Sequence, residues 1–319
     1  MGMDLNNLTD AESSDSGHWW APATTMNGNI RRAAHLVKRG FLIDPHVHSK
    51  CSDGLSTPLR MFLHAQRKGL HGLIVTDHDT TRHWDECLVA ADRHGLLTSL
   101  GLEVSTAQGH LLAYFGCNTS ARKVARALKL DQGRIPYLDV EQVIRQVKEL
   151  GGITCIPHPF GPLYALGTRY LEQVDAVEEY NSWIHQGNKR FRNAFGYARR
   201  YRVAALGSSD SHYPYTIGFG ATFVPNNVSV DKPDWFLDCV RKQLTTAIAR
   251  QKPAQRRINF IKSTVSIPLN VRYNARHFRS KWQGYWKDHC REAIQRQWGL
   301  AFAASPPDRR GTEPVLSLR

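Results

Sequence analysis

Residues 43–54 read IDPHVHSKCSDG, in which the apolar strand-like run FLID (41–44) leads into two histidines one residue apart and a Ser-Asp-Gly turn. Side chains at i and i+2 of a strand project to the same face, so His46 and His48 point together at the end of the strand. Two readings are open, a metal-binding pair or a polar loop that contains histidine. The stretch alone does not choose between them.

Working outward, short apolar runs alternate with amphipathic stretches from residue 41 onward, the pattern of repeated βα units in a largely parallel sheet or barrel. The spacing predicts strands at 41–44, 72–77, 97–104, 110–115, 152–157, 175–180, 203–208 and 220–225. Helices are predicted in TPLRMFLHAQRKGL, RHWDECLVAADRHG, DVEQVIRQVKELGG, NKRFRNAFGYARRY and KPDWFLDCVRKQL. Pro58 near the start and Gly69 past the end of the first suit a helix start and stop. Residues 1–39 read as a partly ordered N-terminal arm with a short helix near its end, 40–250 as the α/β domain, and 251–319 as a basic, aromatic-rich extension with a disordered tail.

Placed on these strands, the metal-competent side chains fall at strand ends. His46 and His48 follow the first strand, with Asp53 in the turn beyond. His78 ends GLIVTDHD, Glu103 ends LTSLGLEV, His110 begins HLLAYF, His158 ends GITCIPHP, and Asp210 and His212 follow VAALGS, again at i and i+2. Parallel strands around a common axis bring their C-terminal ends to one face, where barrel enzymes place their active sites. His110 stands at the opposite end of its strand, which requires a locally antiparallel strand or a ligand reaching in from a loop. Each residue alone has a plainer explanation, a hydrogen-bonded loop histidine or a helix-capping aspartate. Chance and core packing do not explain their joint placement at separate strand ends. Six imidazoles and three carboxylates suit Zn, Mn or Fe, and at about four to six positions per ion they imply more than one metal, with Glu103 able to bridge.

Composition narrows the class. Of 319 residues, 41% are hydrophobic and 22% charged, as in an ordinary globular protein. No apolar run approaches the roughly 20 residues that cross a bilayer. The N-terminal MGMDLNNLTDAESSDSGHWW lacks the apolar core of a secretory signal, so the expected location is cytoplasmic. Six cysteines scattered singly read as reduced thiols. The net charge of +14 is uneven: 25 Lys and Arg stand against 24 Asp and Glu in residues 1–240, and 17 against 4 in residues 241–319.

In their order, HVHSKCSDG, TDHD, GLEVS with GHLLAYFG, IPHP and GSSDSH resemble the motifs of the polymerase and histidinol phosphatase (PHP) superfamily of metal-dependent phosphoesterases, over residues 41–225. The resemblance implies a distorted (β/α)7, TIM-barrel-like fold carrying two to three divalent ions, Mn, Fe or Zn, at the C-terminal face of its strands. Motif by motif, it makes His46, His48, Glu103 and Asp210 ligands of a first metal. It makes Glu103, with His110 and His158, ligands of a second, and Asp53, His78 and His212 ligands of a third. Position 53 is Asp where some members have His, which leaves the preference of the third site open. Asp53, His78, Glu103 and His212 are also the expected catalytic set.

The expected chemistry is hydrolysis of a phosphoester by a metal-bridging hydroxide, the ions lowering the pKa of water from about 15.7 toward 7. Lys50, Arg82 and Arg169 are candidate phosphate clamps. Asn181 is expected to line the pocket, and Asp44 and Asp77 to orient ligand imidazoles. The substrate class is a nucleotide, a short oligonucleotide or another small phosphorylated metabolite. Only 47 positions separate His110 from His158, which leaves little room for the extra domain some nucleotide-cleaving relatives insert.

A rival reading is a nucleic-acid-binding or regulatory module that keeps the metals for structure. Phe260, Tyr273, Phe278, Trp282, Tyr285, Trp286 and Trp298 lie among Lys and Arg, the composition of a nucleic-acid surface. The plainer reading of the same composition is an extension that packs its aromatics on the barrel while its charges face water, and an anionic membrane surface or a protein partner is a further alternative. A third reading is metal-dependent C–N hydrolysis.

Overall fold

The computed structural model describes residues 20–22, 40–132, 135–161, 164–184 and 193–250. Along the chain run β1 (Trp20–Pro22), β2 (Gly40–Val47), α1 (Pro58–Arg67), β3 (Gly72–Val75), α2 (Trp84–His94), β4 (Leu100–Ser105), β5 (His110–Phe115), α3 (Ala121–Ala127) and α4 (Val140–Glu149). They are followed by β6 (Ile153–Ile156), β7 (Ala176–Asn181), α5 (Tyr197–Tyr201), β8 (Ala204–Ser208), β9 (Gly220–Pro225), α6 (Trp235–Arg241) and β10 (Thr246–Arg250).

Local chemistry explains the helices. In α1 the Thr57 hydroxyl accepts the Arg60 N–H, Pro58 supplies a preset φ, and Pro58, Met61, Phe62 and Ala65 form one buried stripe. In α4 the Asp139 carboxylate caps Glu141 and Gln142, and Val140, Val143, Ile144 and Val147 repeat the same spacing. These faces cover the strands and bury Phe62, Trp84, Phe115 and Phe236 almost completely.

The fold is α/β, but the strands do not form one closed ladder. They join as two five-stranded sheets, β1-β10-β9-β2-β3 and β4-β5-β6-β7-β8. Parallel pairing holds for β2/β3, β6/β7 and β7/β8, while β4/β5, β5/β6, β2/β9, β9/β10 and β1/β10 are antiparallel. The expected (β/α)7 barrel is not seen as a continuous hydrogen-bonded ladder: the two sheets are joined only through isolated parallel bridges, Gly72 with Leu97 and His78 with Glu103 on one side, Val47 with Ser211 on the other. Between β8 and β9 a side chain takes the place of a ladder: the Thr222 hydroxyl accepts the Gly207 N–H at 3.0 Å and donates to the Gly207 carbonyl at 2.9 Å.

The antiparallel β4/β5 hairpin accounts for His110. Register pairs Ser105 with His110, so the first residue of β5 lies beside the last of β4. Two strands lie outside the expected set, β10 and β1, the second of which takes residues 20–22 of the N-terminal arm onto the sheet. The helix expected late in that arm and the whole extension 251–319, with its nucleic-acid reading, fall outside the described residues. Among the described residues no helix is long and apolar enough to cross a membrane.

Candidate metal centre

The sheet seams are also where the nine candidate ligands gather. The His78–Glu103 bridge joins one seam, and the Val47–Ser211 bridge brings the His46/His48 and Asp210/His212 pairs side by side at the other. Gly54 permits the tight return of the first loop, because a Cβ there would stand 2.0 Å from the His48 carbonyl oxygen. Asp210, at φ 51°, turns sharply off the end of β8 into the left-handed region that Asp tolerates better than most residues.

Four atoms face one another at the centre. His46 Nε2 and His48 Nε2 are 3.0 Å apart. Glu103 Oε2 lies 3.4 and 3.2 Å from them, and Asp210 Oδ1 lies 3.4 and 3.3 Å from them. Metal–ligand bonds of about 2.0–2.1 Å set tetrahedral edges of roughly 3.3 Å, so the separations among His46, His48 and Asp210 suit one shared ion, with Glu103 Oε2 close to both histidines. The other oxygen of Glu103, Oε1, lies 3.1 Å from His110 Nδ1 and 3.3 Å from His158 Nε2. Asp53 Oδ2 lies 3.3 Å from His212 Nε2 and 3.8 Å from His78 Nε2. His48 also belongs spatially with Asp53, His78 and His212, and His78 with Glu103 and His110, so the groups overlap more than motif order suggests.

Electrostatics and unpaired nitrogens fit bound cations. Burial alone would raise the carboxylates, but the facing imidazoles hold Asp53, Glu103 and Asp210 below the usual carboxylate range. Burial pulls His48 down, yet Asp210 and Glu103 carry it up to about 10; His46 is likewise raised, whereas burial wins at His78 and lowers it. Buried Nδ1 of His48, Nδ1 of His78, Nε2 of His110 and Nδ1 of His158 have no hydrogen-bond partner among the described residues. The upward pull of these carboxylates on His46 and His48 marks a negative field at the centre that a bound cation would share.

Family comparison now decides the class. A profile of the PHP domain matches residues 44–202, and one described as PHP-associated matches 190–245. The chain belongs to the PHP superfamily of metal-dependent phosphoesterases. It is 38% identical over 166 residues to a 5'-3' exoribonuclease of Haemophilus influenzae, covering 47% of this chain and 59% of that protein. It is 34% identical over 112 residues to a 3',5'-nucleoside bisphosphate phosphatase of Chromobacterium violaceum, covering 35% and 39%. The match thus spans only part of either enzyme's length. A two-domain protein from Bacteroides vulgatus containing a predicted PHP-like metal-dependent phosphoesterase shares the fold, with TM-score 0.52 and 20% identity over 66% of this chain and 65% of that one.

Behind the PHP centre stands Glu178, which the sequence reading passed over. Its Oε1 accepts the Nδ1–H of His46 at 2.8 Å, so the Nε2 lone pair of that ring faces the centre. Glu178 also accepts the Ser208 hydroxyl, the His158 N–H at 2.8 Å and the Asn181 amide at 2.9 Å. Two adjacent glutamates in the apolar strand DAVEEYN were the available signal. Asp44 and Asp77, expected to orient ligand imidazoles, instead hold backbone and loop groups. Asp44 accepts the N–H groups of Ser209 at 3.0 Å and Gly218 at 2.7 Å, pinning both ends of the loop that carries Asp210 and His212. Asp77 accepts the Ser49 N–H at 2.6 Å and the hydroxyls of Ser49 and Ser52, each at 2.5 Å.

The four candidate substrate contacts differ in placement. Lys50 is exposed on the first loop. Arg82 donates through Nε to Asp131 at 2.9 Å while its side chain stays 72% exposed. Arg169 is exposed, 5.3 Å from the Tyr170 ring. Asn181, expected to line the pocket, is fully buried; its amide donates to Glu178 and to Asp210 Oδ2 at 3.2 Å, so it sits behind the carboxylate.

Proposed function

We propose that this chain hydrolyses a phosphoester of a nucleotide or short oligonucleotide with two to three divalent ions held by His46, His48, Asp53, His78, Glu103, His110, His158, Asp210 and His212. The observation that carries the reading is Glu103, whose two carboxylate oxygens face separate sets of imidazoles, Oε2 toward His46, His48 and His78 and Oε1 toward His110 and His158, at 3.1–3.4 Å. A carboxylate so placed can join two ions. The ions, when bound, supply Lewis acidity toward phosphate oxygens and a water of lowered pKa.

The chain's own residues do the rest. Glu178 and the Asp210 carbonyl, which accepts from His212 Nδ1 at 3.1 Å, fix two imidazoles with Nε2 turned inward. Asn181 steadies Asp210. Lys50, Arg82 and Arg169 are the clamps assigned in this reading to non-bridging phosphate oxygens, and the Asp131 contact orients Arg82. Both characterised relatives act on nucleotide phosphoesters by their names, which favours that substrate class over sugar phosphates. The test is phosphate or nucleoside release by the manganese-loaded protein from nucleoside monophosphates, nucleoside 3',5'-bisphosphates and short RNA. A protein that binds metal yet turns over none of them would overturn the reading and favour a binding module.

A further inference from the structure

Trp183 differs from the other tryptophans whose side chains are described. Trp84 and Trp235 are 1% and 3% exposed, and each donates its indole N–H to a backbone carbonyl, Gly101 and Thr98, at 2.8 Å. Trp183 is partly exposed and stands beside the metal centre, its ring 5.3 Å from that of His212. It ends a column of rings: His78 stacks on His48 at 4.6 Å, His48 on His212 at 4.3 Å, and the indole follows.

Its position is built. The Trp183 N–H donates to Asn181 Oδ1 at 2.9 Å, and the same Asn181 holds Asp210. Ser182 between them donates its N–H to the Ser208 carbonyl at 3.0 Å and its hydroxyl to the Ser209 carbonyl at 2.8 Å. The turn carrying the indole is thus fastened to the strand end that carries Asp210 and His212. An aromatic surface fixed within one ring's distance of the centre meets whatever is attached to a phosphate bound there. Base–aromatic stacking is tolerant of base identity and recognises the π-face alone.

We propose that Trp183 is the stacking platform for the nucleobase and selects phosphoesters that carry a base. The inference rests on the nucleotide reading above. Adenosine 5'-monophosphate and ribose 5-phosphate present the same phosphate on the same sugar and differ in the base. Binding of each to the metal-loaded full chain is measured by calorimetry, and turnover of each is followed separately, for the parent, Trp183→Ala and Trp183→Phe. The expected result is tighter binding of adenosine 5'-monophosphate by the parent, a roughly 5- to 150-fold loss of that preference in Trp183→Ala, and recovery of most of it in Trp183→Phe. A parent that does not prefer the base, an unchanged preference in Trp183→Ala, or equal weakening toward both ligands would overturn it. Base-dependent binding without turnover would sink the hydrolytic reading and leave the platform standing.

Discussion

Glu178 Oε1 lies 2.8 Å from Nδ1 of His46, although 132 positions separate the two residues, and both are fully buried. The same carboxylate accepts three further donors, from Ser208, His158 and Asn181. Glu178→Gln keeps the shape but turns an acceptor-only group into one that must point an N–H₂ at a neighbouring donor. The expected outcome is a folded protein whose affinity for its first metal falls about 10- to 100-fold, read by chelator competition. An unchanged metal affinity would show that His46 does not depend on this contact.

Metal removal should destabilise the protein. Ions that bind the folded chain alone add about 2.7 kcal/mol at 100 times Kd, and a domain of this size shifts by about 2–4 °C for each kcal/mol. Calorimetric scans should therefore show the unfolding midpoint several degrees lower in chelator than in manganese. His46→Ala with His48→Ala should shrink that difference; the same shift in the double variant would mean that the first group does not hold an ion.

Asp44 makes a pH prediction. Burial outweighs its bonds to Ser209 and Gly218 and raises its carboxyl from 3.8 to about 6. Between those values the folded state keeps a proton that the unfolded chain has released, so this group's contribution falls as pH rises and levels off above 6 at a cost of ~3 kcal/mol. Asp44→Asn removes the ionisation. The variant should therefore gain relative to the parent between pH 4.5 and 7.5, measured as urea midpoints of the metal-free proteins. A difference independent of pH would refute the shift.

Gly54→Ala places a Cβ 2.0 Å from the His48 carbonyl oxygen, a backbone atom that cannot yield without moving the loop. The expected cost is about 1–3 kcal/mol of stability together with reduced metal content, by denaturation and elemental analysis. Full metal content at parental stability would mean that the loop has slack.

The helices and strands were legible because their signals are local. HLLAYF and GATFVP became β5 and β9 with the expected bounds, and the i, i+3, i+4, i+7 stripes of α1 and α4 lie in the chain as written. Strand β10 was missed because TAIAR carries no alternation of its own, and its pairing with β9 supplies the order. Arg82 could be named from its motif, but its fastening to Asp131, 49 positions away, could not.

By itself the sequence determined the inventory of the centre: which strand ends carry His, Asp and Glu, and that Glu103 has two oxygens to share. Spacing along one strand is enough for that, since i and i+2 face together whatever the rest of the chain does. Tertiary structure alone decided how the inventory is arranged. It turned β5 antiparallel and so brought His110 to Glu103, left the strands as two sheets meeting at the ligand-bearing seams, set Glu178 behind His46, and stood Trp183 beside His212. The β4/β5 hairpin fixes the first of these contacts, and the others join residues on separate strands and loops that only the assembled sheets bring together.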